Sequence, residues 1–429
     1  MTPLARPNVP AVVAQHLEDA AALRHTRAVL LRAPHVELKR LARLDERLSA
    51  HLDGALVAGD DGWRAALAAL ESPGVGQLFV AAVLAIERHD EAQVDRLLAL
   101  VDALPAEATR ALASAFGWVS AQALRGLTAA LLKSAQPQAR WLGIAACAAH
   151  RVDPAEALAA ALQAPEPLLR TAALRTAGRL GRIDLLPAVL ASLQSGDPAH
   201  DAATQVAAAS AALLLGDTGP ARQALRSFAL QREPGAAEAL QLSLLAAQPD
   251  AARALVRRLA AEGAPLRTTL RAAAWAGDVQ AVPWLIKQMA DPAHARLAGE
   301  AFSFLTGADL ALLDLERKDA APAPNGPSDE PADDEVALDE DESLPWPDID
   351  RVRAWWEARR ASMPTGERCF MGAEASAAHC TAVLRSGGQR QRHAAALLLT
   401  LMKPGTPVFN VAAPAWRQQR ALGLPMRVS

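Results

Sequence analysis

WAGDVQAVPWLIKQMADPAHARLAGEAFSFLTG, residues 275–307, holds the pattern on which the rest of the chain is built. A Gly-Asp turn at Gly277-Asp278 leads into an apolar face made of Val282, Leu285, Ile286 and Met289. Asp291-Pro292 interrupts it. A second face follows, carrying Ala295, Leu297, Ala298, Ala301, Phe302 and Leu305, and Gly307 ends it. Spacings of three and four residues place these side chains on one side of a helix. The stretch therefore reads as a helix–turn–helix unit of roughly 30 residues, the size of a solenoid repeat.

Looser copies of this unit extend upstream. A shift of 31 residues lays Arg151, Val152 and Asp153 on Arg182, Ile183 and Asp184, and Leu162, Gln163 and Pro167 on Leu193, Gln194 and Pro198. A shift of 96 residues lays Gly181, Pro187, Leu190 and Leu193 on Gly277, Pro283, Ile286 and Met289. The second shift is close to three times the first, so both imply one period. Residues 79–104, 109–132, 206–230 and 236–261 each offer two helical halves of similar length. Helix pairs of this kind cannot bury their apolar faces alone and do so by stacking on their neighbours. The expected fold class is all-α: a HEAT-like α-solenoid of about seven helix pairs, with an acidic linker and a small C-terminal helical module.

Composition agrees. The chain has 429 residues, is 51% hydrophobic, contains no Tyr, and is rich in Ala and Leu, both strong helix formers. The formal net charge of -3 speaks against whole-chain electrostatic binding to nucleic acid or to an anionic membrane. Cys147, Cys369 and Cys380 are too few and too widely spaced for a disulfide framework. MTPLARPNVP lacks the apolar core of a signal peptide. The run Leu78–Ile86 is about half the ~20 residues of a membrane span. A cytoplasmic protein is expected.

Four regions follow. Residues 1–62 read as an N-terminal helical cap, with Leu38, Leu41, Leu44, Leu48 and Leu52 on one stripe, charged residues opposite, and Gly54 as the helix stop. Residues 63–315 are the repeats. Residues 316–345 are an acidic linker; the window 316–350 holds thirteen Asp and Glu against Arg317 and Lys318, too little apolar surface to offset the entropy of ordering. Residues 346–429 form a basic helical module, whose part 351–429 has twelve Lys and Arg against Glu357, Glu367 and Glu374. Helices are expected at VRAWWEARR, on either side of Gly387-Gly388, and at PAWRQQRAL.

No chemical motif rises above the helical pattern. His379, Cys380 and Cys369 lack a fourth ligand at zinc spacing, and there is no CxxC or HExxH. Gly74-Val75-Gly76 lacks the third glycine and preceding strand of a nucleotide site. No Gly-x-Ser-x-Gly elbow occurs. No catalytic residue, cofactor or metal is expected. A helical-repeat DNA glycosylase would draw on Trp118, Trp141, Trp275 and Trp284 with Arg140, Arg170 and Arg271, but tryptophans at helical spacing are more often core.

The pieces AGDVQAVPWLIKQMADPAHARLAGEAFSFLTG, SLPWPDIDRVRAWW, GGQRQRHAAALLL and APAWRQQRAL, with LARLDERLSAHLDGALVAG near the start, resemble a family of bacterial HEAT-repeat proteins often encoded near type VI secretion genes. The resemblance spans almost the whole chain and is most specific from Leu344 to Trp356 and at Gln389–Arg392. The repeat stack points to a non-enzymatic scaffold or adaptor, the resemblance implies a role accessory to type VI secretion or effector delivery with effector or spike components as protein partners, and the charge balance leaves neither nucleic acid nor membrane as an expected partner. The residues expected to bind partners are Trp346, Trp355, Trp356, Arg390, Arg392, Arg417 and Arg420, because Trp and Arg are enriched at interface hot spots. The alternative is an enzyme on a helical-repeat scaffold, DNA glycosylase-like or chromophore-lyase-like.

Overall fold

The structure, a computed structural model, describes residues 8–102, 104, 106–194, 201–231, 235–318 and 340–425. These are predominantly helical. In chain order the helices are α1 (Pro10–Leu30), α2 (Leu38–Val57), α3 (Asp60–Ala68), α4 (Val75–Glu87), α5 (Glu91–Asp102), α6 (Ala106–Trp118), α7 (Leu127–Lys133), α8 (Pro137–His150), α9 (Glu156–Leu162), α10 (Pro167–Leu180), α11 (Leu186–Gln194) and α12 (Ala202–Leu214). Then come α13 (Pro220–Ala229), α14 (Ala236–Ala246), α15 (Pro249–Ala261), α16 (Leu266–Ala276), α17 (Val282–Gln288), α18 (Ala295–Thr306), α19 (Ile349–Arg359), α20 (Ala377–Ser386), α21 (Gln389–Met402) and α22 (Ala415–Ala421). One antiparallel hairpin, β1 (Cys369–Phe370) with β2 (Ala373–Glu374), interrupts them. No helix among the described residues is long and apolar enough to cross a membrane.

The chain divides into two compact units. The first comprises residues 1–32, 36–221 and 404–429; the second comprises residues 33–35 and 222–403. In the first, α4, α6, α8, α10 and α12 pack on one another in that order, and α5, α7, α9 and α11 each pack on a chain neighbour. In the second, α14, α16 and α18 form the same kind of series, with α15 and α17 beside them. The serial helices are the buried ones. Every residue from Leu78 to Ile86 of α4 and from Val206 to Leu214 of α12 is buried. Small residues make this possible: a Cβ on Gly178 of α10 would lie 2.7 Å from the Ala211 Cα of α12.

The 275–307 stretch folds as its pattern dictates. Gly277 takes φ +70° after α16, α17 and α18 follow, and Gly307 takes φ +71° at the end. Phe302 is fully buried, and truncating such a side chain costs about 3–5 kcal/mol. The 96-residue shift recurs in the backbone, since the short 3-10 turns Ile183–Leu185 and Val279–Ala281 and the starts of α11 and α17 all obey it. The 31-residue shift is one too long. Helix starts at Pro137 and Pro167, and left-handed caps at Arg151 (φ 57°) and Gly181 (φ 72°), set an offset of 30. The left-handed capping residue fixes the register, and the Arg-x-Asp identity that follows it slips by one.

Other expectations change. α2 runs past Gly54 to Val57, and Gly54 sits inside the helix, where a Cβ would lie 2.7 Å from the His16 ring. Asp45 lies on the buried stripe of α2 instead of the charged face. The unit boundary at 221/222 falls within the run read as continuous repeats over 63–315, and inside α13. Residues 346–403 belong to the second unit and 404–429 to the first, so the basic stretch 346–429 is divided between them. Residues 319–339, most of the expected acidic linker, lie outside the described residues. Its described ends are paired: Arg317 N–H donates to Trp346 O at 2.8 Å, and Asp348 N–H to Leu315 O at 2.8 Å.

Candidate functional site

A helix ends in carbonyls without intrahelical partners and in the negative end of its dipole. In each unit, a segment from the last part of the chain supplies donors to such ends. In the second unit the supplier is the β1–β2 hairpin and the arginine before it. Arg368 donates from one guanidinium nitrogen to Trp275 O at 2.6 Å and Ala276 O at 3.1 Å, and from another to Leu244 O and Ala247 O at 2.7 Å each. It thus joins the ends of α14 and α16. Burial lowers its pKa to about 10, so it stays cationic at neutral pH. The hairpin backbone continues the row, with Cys369 N–H on Gly277 O at 2.8 Å, Met371 N–H on Phe304 O at 2.9 Å and Gly372 N–H on Leu305 O at 2.8 Å. Gly307 must be glycine, because a Cβ would meet Met371 O at 2.6 Å.

In the first unit residues 404–418 do comparable work in smaller steps. Val408 N–H donates to Arg179 O at 2.9 Å, near the end of α10. Arg151 Nε donates to Val408 O at 2.7 Å, and Asn410 Nδ2 to Ala149 O at 2.9 Å, at the end of α8. Arg417 donates to Gly117 O at 3.1 Å and Val119 O at 3.0 Å, at the end of α6. A buried ion pair anchors the segment. Arg27 Nε meets Asp45 Oδ1 at 2.7 Å, the same guanidinium reaches Ala412 O at 3.2 Å and Ala413 O at 3.0 Å, and Asp45 Oδ2 accepts from Ala415 N–H at 2.7 Å. Trp416 packs edge-on against Trp118 at 4.7 Å, with the Arg27 guanidinium 5.5 Å from the Trp118 ring.

Most of the seven expected partner-binding residues have contacts within their own unit. Trp346 stacks with Arg296 at 4.8 Å and Arg317 at 5.6 Å. Trp355 lies edge-on to Phe302 at 5.7 Å, and Trp356 is buried. Arg390 pairs with Glu300, whose carboxyl is raised by burial against the opposing pull of that arginine. Arg392 is fully buried, donating to Leu384 O at 2.8 Å and to Gln389, with burial lowering its pKa to about 10. These five belong to the second unit. Arg417 and Arg420 belong to the first, and Arg420 is the exposed member of the set. Sequence reasoning missed Arg368, Asn410 and the Arg27–Asp45 pair. Asp45 did carry a signal: it is four residues after Leu41 and three before Leu48, a charge inside an apolar stripe. Arg368 and Asn410 carried none, since both lie in irregular segments.

A further cluster in the second unit holds the acidic residues just before Trp346. Arg267 grips Asp341 with two nitrogens, at 2.6 and 2.9 Å. Glu340 bridges Arg271 at 2.9 Å and Arg267 at 3.1 Å. Arg271, then Arg267, holds the Glu340 carboxyl below its ordinary range. Arg296 donates to Asp341 O at 2.9 Å. Two arginines one turn apart on α16 thus take up an adjacent pair of carboxylates.

Burial pushes the thiols of Cys147, Cys369 and Cys380 up to about 11, so they are protonated at neutral pH and poor nucleophiles. Among the described residues, no group of three or more His, Cys, Asp or Glu side chains is arranged to hold a metal ion. Residues of the glycosylase alternative have other contacts. Trp118 packs on Trp416, Arg170 donates to Ala164 O at 2.8 Å, Arg140 stands 3.8 Å from Glu166, and Arg271 binds Glu340. Neither a scan of known protein-family models nor a search of curated proteins finds a match to the chain.

Proposed function

We propose that the protein is a HEAT-like α-solenoid of about seven helix pairs that acts as a non-enzymatic scaffold or adaptor. The observation that carries this reading is the serial packing of alternate helices, α4 to α12 in one unit and α14 to α18 in the other. Layers built this way bury their inner helices on both sides and leave helix faces and ends along an extended surface, the property that repeat proteins use to hold partners. Several of the Trp and Arg residues first expected at the interface also serve the interior and the helix ends, and other exposed residues add to the surface open to a partner. The family resemblance supplies the class of partner, an effector or spike component of type VI secretion.

The test is affinity purification of the tagged full-length chain from a bacterium that carries type VI secretion genes, with mass spectrometry of what is retained. A secretion component held at near-stoichiometric amounts is the expected result. Absence of any specific protein partner defeats the scaffold reading, and a specific partner outside secretion defeats the assignment of its class.

A further inference from the structure

α2 has an inner face and an outer face with different fates. Leu38, Leu41, Leu44, Leu48, Leu52 and Asp45 are buried. Lys39, Arg40, Arg43 and Arg47 are exposed. Arg40, Arg43 and Arg47 are three and four residues apart, so they form one row along the helix. Lys39 is held by Glu37 at 2.8 Å. The three arginines make no ion pair or hydrogen bond with any other side chain among the described residues, and neither does Glu46 on the same outer face.

Several arginines elsewhere in the chain do take carboxylates. Arg182 pairs with Asp153 and Asp184, Arg253 with Asp278, and Arg351 with Asp314. The instructive case is α16, where Arg267 and Arg271 have the same four-residue spacing as Arg43 and Arg47. There the occupant is the dipeptide Glu340-Asp341, with one carboxylate gripped by two nitrogens and the other shared between both arginines. One helical turn separates the guanidinium stems by about 6 Å, a span that neighbouring acidic side chains of an extended peptide can bridge. α2 offers the same pair, extends it by Arg40, and has no carboxylate in place among the described residues. Its backbone is held from behind, because Asp45 on the opposite face is fixed by Arg27 and by Ala415 N–H.

We propose that the outer face of α2 is a docking site for an acidic segment of a partner protein, with Arg43 and Arg47 reading two adjacent carboxylates and Arg40 a third. This rests on the scaffold reading and names a surface for it. An acidic protein segment fits better than a nucleic acid, because three charges on one helix in a chain of net charge -3 give no extended positive field. The geometry matches the carboxylate pair that the chain already binds on α16.

The experiment uses the full-length chain and a fluorescein-labelled peptide containing Asp-Glu-Asp-Glu, followed by fluorescence anisotropy, with the Asn-Gln-Asn-Gln peptide as control. The acidic peptide is expected to bind with a steep dependence on salt, and the control is not. Replacing Arg40, Arg43 and Arg47 together by Ala is expected to weaken binding about tenfold while leaving the melting temperature unchanged, since all three are exposed. Arg267→Ala with Arg271→Ala is expected to leave that binding in place. Undiminished affinity in the triple variant overturns the proposal, as does tighter binding of a DNA duplex or a phosphatidylserine vesicle than of the peptide. In the pull-down, a partner that the triple variant still retains overturns the α2 site and leaves the scaffold reading standing; a wild-type chain that retains no partner removes the scaffold reading itself.

Discussion

The β1–β2 hairpin of the second unit and the C-terminal segment of the first solve the same problem in opposite ways. Both satisfy carbonyls at the ends of serially packed helices. The hairpin concentrates the task in one side chain: the Arg368 guanidinium serves four carbonyls on two helix ends. The C-terminal segment distributes it, with Val408, Asn410 and Arg417 each meeting a different helix and Trp416 adding an apolar contact. A concentrated hub should fail all at once and a distributed strap should fail piecemeal.

Arg368→Ala is the sharpest way to break that contrast. It removes a cation from two helix ends and leaves four carbonyls to find water or go unpaired, and a loss of about 4 kcal/mol is expected from charge-assisted bonds of this kind. Arg368→Lys should recover only part, because an ammonium cannot present the planar fork that reaches two helices. Denaturant unfolding gives the magnitude, and amide exchange at Cys369, Met371 and Gly372 gives the location. A loss under about 1 kcal/mol with those amides still protected would show that Arg368 is no hub. In the distributed segment, Trp416→Ala should cost about 2 kcal/mol because the ring is only partly buried. Asn410→Ala should cost about 1 kcal/mol. Asn410 and Arg417 share no partner, so their losses should add to within roughly 0.5 kcal/mol. Strong coupling between them would mean that the strap releases as one piece.

The same contrast explains what was legible in the sequence. Helices with regular apolar stripes were readable because burial imposes a spacing: Val282, Leu285 and Ile286 line one buried face, as do Leu297, Ala301 and Leu305. Gly307 announced a helix end for a backbone reason. The segments that cover helix ends obey no spacing rule, since a donor at Arg368 or Asn410 is selected by carbonyls more than a hundred residues away in sequence. Members of the expected partner-binding set lie in the interior for a related reason. Trp and Arg are favoured at interfaces because they combine large area with many donors, and the same properties suit Arg392 and Trp356 to the interior. Residue type alone cannot separate those uses. What separates Arg43 and Arg47 from Arg267 and Arg271 is the presence of an acidic neighbour, which only the fold supplies.

The smallest expected effect comes from acid, and it tests whether carbonyl capping is the common principle of the two segments. Neither Arg368 nor the contacts of Arg417 with Gly117 and Val119 involve a carboxylate. Glu340 does involve one, and Arg271 and Arg267 hold its folded pKa below the ordinary value. A depressed carboxyl pKa means stability that is fully present above the unfolded value of about 4.3 and is lost as pH falls through the folded value. Because Glu340 is exposed, its share should stay below about 1 kcal/mol. As pH is lowered from 6 through the depressed folded value, Glu340→Gln should therefore lose less stability than the parent chain. The amides of Met371 and Gly372 in the hairpin, and of Val408 in the C-terminal segment, should keep their protection over the same range. Loss of protection at Val408 alone would assign the hold on that segment to the Asp45 carboxylate that receives Ala415 N–H, and would make the strap, unlike the hairpin, an acid-sensitive element.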